Sequence, residues 1–88
     1  MHITTWSVKI YLSEEEDVTR ARAVLDTGLV PHLEGEGVAR RNPADLPVAE
    51  IGDELAAARA LRDLANRLHE ATAEDISAVT HHPVSTLA

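Results

Sequence analysis

The chain has 88 residues, which allows one domain with a modest core and a thin stability margin. It has no cysteine, so neither a disulfide nor a thiolate metal site can help hold it together. Its 15 acidic and 8 basic side chains give a formal charge of −7, the wrong sign for a surface that binds nucleic acid all round.

Residues 3–12, ITTWSVKIYL, alternate with period two. Trp6, Val8, Ile10 and Leu12 share one face and Thr5, Ser7, Lys9 and Tyr11 the other, so a strand with one buried face is expected. In SEEEDVTRARAVLDTG, Ser13 and Glu16 have capping-box spacing, and Val18, Ala21, Val24 and Leu25 fall on one helical face. The spacing predicts a helix over about 15–27, stopped by Gly28, with Arg20 and Arg22 off its buried face. Pro31 excludes a central strand at 29–32. A second strand follows over 33–41. Leu33, Gly35, Gly37 and Ala39 form a small-residue face that lets a helix or another backbone come close, and Glu34, Glu36, Val38 and Arg40 face the other way. Asn42-Pro43 ends it, and 42–50 form a loop. A long helix is then predicted from the stripe Ile51, Leu55, Ala58, Leu61, Leu64 and Leu68. Thr72 and Asp75 suggest a new cap, so AEDISAVTHH reads as a short third helix ended by Pro83, with a loose tail at 84–88.

The expected order is strand, helix, strand, long helix, short helix: an α+β domain over 1–88. Two strands make a poor sheet by themselves, and the Trp6 face and the long stripe offer more apolar surface than one small helix covers. A homodimer would remedy both. No apolar run approaches the ~20 residues of a membrane helix, and residues 1–20 lack the apolar stretch of a signal peptide. A soluble, cytoplasmic protein with no membrane partner is expected.

Several groups of residues invite a chemical reading. Arg40 and Arg41, with Lys9 on the neighbouring strand, Arg20 or Arg22 beside them and Tyr11 as a stacking ring, form a candidate RNA contact. The competing reading is a strand end whose arginines lie over the sheet and pair with Glu34, Glu36 or Asp45, and the acidic composition favours it. GEGVAR lacks the third glycine and the strand-to-helix context of a dinucleotide fingerprint. His2, His32, His69, His81 and His82 show no ligand spacing. Asp45, Glu50, Asp53 and Glu54 are what a helix start favours. No Ser-His-Asp order, Walker loop or HExxH occurs. The expectation is a protein that is not an enzyme, with no cofactor, metal site or small-molecule substrate.

HITTWSVKIYLSEEED, TRARAVL, GVARRNPAD, EIGDELAAARALRDLANRL and DISAVTH resemble an actinobacterial family of small proteins of unknown function. The resemblance covers about 5–83. It implies a fold similar to the double-stranded-RNA-binding domain (dsRBD-like) and completion as a strand-exchanged homodimer. A dormancy-induced mycobacterial member likened to ribosome hibernation-promoting factors implies a stress-associated binding protein at the ribosome or RNA. Hibernation factors use basic faces, whereas this chain has a single lysine, Lys9. The alternative is an acidic homodimeric protein-interaction module with no nucleic-acid role.

Overall fold

The computed structural model describes residues 1–29, 32–42 and 49–80. Three strands precede one helix: β1 (Ser7–Glu15), β2 (Val18–Asp26), β3 (Leu33–Arg40) and α1 (Ala49–Thr80). The strands form an antiparallel sheet in the order β1-β2-β3.

The helix expected over 15–27 is therefore a strand. Thr19, Ala21, Ala23 and Leu25 are buried while Arg20, Arg22 and Asp26 are exposed, a period of two. Val18, Thr19 and Val24 are β-branched and suit a pleated surface. Ser13 lies within β1 and caps nothing. Glu15 pairs with Val18, leaving Glu16-Asp17 as a two-residue hairpin in which Glu16 takes a φ of 52°. Gly28, at φ 85°, follows the end of β2, where its N–H donates to Asp26 Oδ1 at 2.8 Å. With three strands present, the shortage of strands that argued for a dimer disappears.

β3 forms as expected, with Leu33, Gly35, Gly37 and Ala39 on one face. That face receives α1. A Cβ on Gly35 or Gly37 would lie closer than 3.0 Å to backbone atoms of Ala60 and Leu64, or of Ala56 and Ala60. The buried helix positions are Ala56, Ala60 and Leu64, with Leu68 partly buried, rather than the whole predicted stripe. Ile51, Leu55, Ala58 and Leu61 are exposed. The core comprises Ala21, Ala23, Leu25, Ala39, Ala56, Ala60 and Leu64. Five of these seven are alanine, so its close packing comes from backbones approaching one another and not from large side chains.

The two expected helices are one. Thr72 does not begin a new helix; its hydroxyl donates back to the Leu68 carbonyl at 2.9 Å within the continuous helix. α1 packs mainly on β3 and β2 and barely reaches β1. The face expected to be buried on β1 is consequently open: Trp6, Val8, Ile10 and Leu12 are 52, 43, 38 and 46 % exposed. At the opposite edge, α1 closes over β3. The Glu36 N–H donates to Asp63 Oδ2 at 2.8 Å, and Arg59 Nη1 donates to the Val38 carbonyl at 2.7 Å.

Candidate nucleic-acid interface

Residues paired across antiparallel strands share a face. The register aligns Lys9 with Val24 and Glu34, Tyr11 with Arg22 and Glu36, Ser13 with Arg20 and Val38, and Glu15 with Val18 and Arg40. All belong to the sheet face opposite α1. Lys9, Arg20, Arg22 and Arg40 therefore stand together on the helix-free face, half of the chain's 8 basic side chains. Four acids share the face: Glu15, Asp26, Glu34 and Glu36. Its formal charge is accordingly zero, in a molecule of −7. A polyanion meets less repulsion there than over the remaining surface.

The Arg22 guanidinium carbon lies 4.9 Å from the centroid of the Tyr11 ring, a cation–π contact. Arg22 Nη1 also reaches Glu34 Oε1 at 3.4 Å, a weak exposed pair. Tyr11 and Arg22 thus form a small platform on which a base could stack. Beside them is a shallow, open depression of about 270 Å³ bounded by Tyr11, Ser13, Arg20, Arg22, Glu36 and Val38. It is too open to bury a small molecule. Lys9, Arg20 and Arg40 make no ion pair among the described residues.

Of the four residues picked out as RNA contacts, the structure brings Lys9, Tyr11 and Arg40 to one face and takes Arg41 away. Arg41 Nη2 and Nε contact Asp17 Oδ1 at 2.7 and 3.0 Å, and its backbone N–H donates to the Asp17 carbonyl at 2.8 Å. That ties the end of β3 to the β1–β2 hairpin. Arg20 and Arg22 join the face because β2 is a strand. The alternation Thr19, Ala21, Ala23, Leu25 was the signal that could have placed them there.

Among the described residues, the remaining candidates do not converge. Glu50 lies in the first turn of α1, as a helix start favours. Asp53 and Glu54 follow in the same helix. His2, His32 and His69 are exposed on separate segments. Asp45, His81 and His82 lie outside the described residues. Among the described residues, no three His, Cys, Asp or Glu side chains gather as a metal would require, and no helix is long and apolar enough to cross a membrane.

A three-stranded antiparallel sheet with one C-terminal helix, bare on its charged face, defines a small α+β domain with an open surface. Residues 4–85 match the Rv2632c-like family. Uncharacterized protein Rv2632c of Mycobacterium tuberculosis is 49 % identical over 83 residues, covering 94 % of this chain and 88 % of the relative. Uncharacterized protein Mb1767 of Mycobacterium bovis is 50 % identical over 82 residues, covering 93 % and 86 %. The crystal structure of Rv2632c superposes with a TM-score of 0.84 at 47 % identity, over 94 % of this chain and 98 % of that one. The chain belongs to the Rv2632c-like family, small actinobacterial proteins of unknown function.

Proposed function

We propose that the protein is a cytoplasmic, non-enzymatic binding module that acts as a homodimer and docks structured RNA, ribosomal RNA included, on the helix-free face of its sheet. The observation that carries this reading is the gathering of Lys9, Arg20, Arg22 and Arg40 around Tyr11 on the one sheet face that no helix covers. The resemblance to a family with a dormancy-induced, dsRBD-like member supports the association with RNA and with stress. The open apolar row Trp6, Val8, Ile10 and Leu12 supports the homodimer, because soluble chains rarely leave such a row in water.

Binding should be weak and salt-sensitive with a shallow slope, because few phosphates are contacted. Three unpaired cations per subunit, Lys9, Arg20 and Arg40, correspond to a slope of log affinity against log salt near about −3 on duplex RNA. The test is fluorescence anisotropy of a labelled RNA hairpin at two salt concentrations, with the wild type and the Arg20→Glu/Arg40→Glu variant. Wild-type binding that the variant loses supports the reading. No binding at low salt overturns it in favour of the second reading, an acidic homodimer that meets a basic protein partner. The net charge of −7, all of it off the bare sheet face, is what favours that alternative.

A further inference from the structure

Two glutamates of β3 on the helix-free face have different fates. Glu34 Oε1 takes Arg22 Nη1 at 3.4 Å. The Glu36 carboxylate forms no ion pair or side-chain hydrogen bond among the described residues, although the register sets Glu36 opposite Arg22. Arg22 instead lies over the Tyr11 ring, 4.9 Å from its centroid. Tyr11, Arg22 and Glu36 thus run across the three strands in one row, stacking platform first and bare carboxylate last. Arg20 stands in the next row, and the shallow depression is bounded by both rows. The backbone of Glu36 is anchored, because its N–H donates to Asp63 of α1 at 2.8 Å.

We propose that this row reads one unpaired guanine in the loop of an RNA: the base stacks on Tyr11 and Arg22, its N1–H and exocyclic amino group donate to the two oxygens of Glu36, and Arg20 takes its phosphate. This rests on the RNA docking proposed above and adds the base that the face selects. A carboxylate accepts hydrogen bonds and donates none. Guanine is the one base of RNA whose Watson–Crick edge carries two adjacent donors. Adenine and cytosine set an acceptor nitrogen beside their amino group, and uracil flanks its single N–H with two carbonyls. Each of these would turn a lone pair toward Glu36 and leave an oxygen without a donor. The base must be unpaired, because a paired one has spent that edge on its partner and lies within the stack. A loop also suits the openness of the depression. The site need not enclose a ligand, since Lys9 and Arg40, one row before and two rows beyond, hold the flanking phosphates. Arg20 and Arg22 beside Glu36 offset its repulsion from the RNA backbone.

Fluorescence anisotropy at low salt tests this with one labelled RNA hairpin, its loop all uridine except for a central guanosine, inosine or adenosine. The Glu36 side chain is exposed, so its variant should fold, and circular dichroism confirms it. Wild type should bind the guanosine loop about 5- to 150-fold more tightly than the adenosine loop, the range for one bidentate base contact. Inosine, which keeps N1–H but lacks the amino group, should fall between them. Glu36→Gln puts a donor in place of one carboxylate oxygen and should move the preference towards adenosine, whose amino group and N1 match the amide. Equal binding of the three loops overturns the guanine reading while the RNA docking stands. No binding of any loop overturns the docking, and the guanine reading with it. A guanosine preference that Glu36→Gln leaves unchanged overturns Glu36 as the reader. Displacement of the hairpin by equimolar GMP overturns the RNA loop as the source of the base.

Discussion

Asp63 serves two partners from one carboxylate. Oδ2 accepts the Glu36 N–H of the sheet edge at 2.8 Å and Arg67 Nε at 3.1 Å, one helical turn on. The Glu36 N–H is the main influence holding its carboxyl below the ordinary 3.8; partial burial opposes it, and Arg67 adds to the lowering. A carboxyl whose value is depressed by folding stabilises the fold above its unfolded value and loses that contribution as pH falls through the folded one. The stability due to Asp63 is therefore intact at neutral pH and fades below about 3.8. Asp63→Asn keeps an acceptor oxygen but no charge. Its melting temperature should lie below that of the wild type at pH 7, and the two should converge as the solution is acidified below pH 4. Parallel melting curves down to pH 2.5 would show that the carboxylate charge is irrelevant to the edge.

The helix and the sheet meet where neither has bulk. Gly35 and Gly37 lie directly under the α1 backbone, where even a Cβ meets main-chain atoms, so Gly37→Val should cost about 3 kcal/mol or more, the upper end of overpacking. Urea denaturation would read this as a lower midpoint at unchanged slope; an unchanged midpoint would mean that the helix can lift off β3 without loss. The small-residue face of β3 was legible in the sequence because alternation and glycine spacing point the same way. β2 was not, for a physical reason. Val18, Ala21, Val24 and Leu25 satisfy a helical spacing while Thr19, Ala21, Ala23 and Leu25 satisfy a strand, and local pattern cannot choose between them. Hydrogen bonding to strands on both sides chose. The helical stripe misled through size: leucines mark a face that packs side chain on side chain, but this contact needs backbone on backbone, so Ala56 and Ala60 face inward and Leu55 and Leu61 do not. At the candidate site the same ambiguity put Arg20 and Arg22 on a helix and not on the sheet face, and one residue of register separated Arg40 from Arg41.

At the scale of the whole molecule, the helix is too narrow a cover for three strands. Its contacts favour β3 and β2 and leave the β1 side chains half in water. Trp6, the sole tryptophan, adjoins that open row and reports on it without labelling. Its emission should be blue-shifted at micromolar concentration and move to the red on dilution, with a midpoint at the dimer dissociation constant. Water-exposed emission at every concentration would place Trp6 outside any interface. The uneven sharing of charge between the two sides of the sheet has a further consequence. With one broad side neutral and the deficit of seven charges carried elsewhere, the molecule has a permanent electric moment across its sheet. In the field of a large polyanion such a body feels a torque before it feels contact, turning its acidic parts outward. Mean charge alone would forecast simple rejection; the moment instead selects an angle of approach, with the Tyr11–Arg22 side leading.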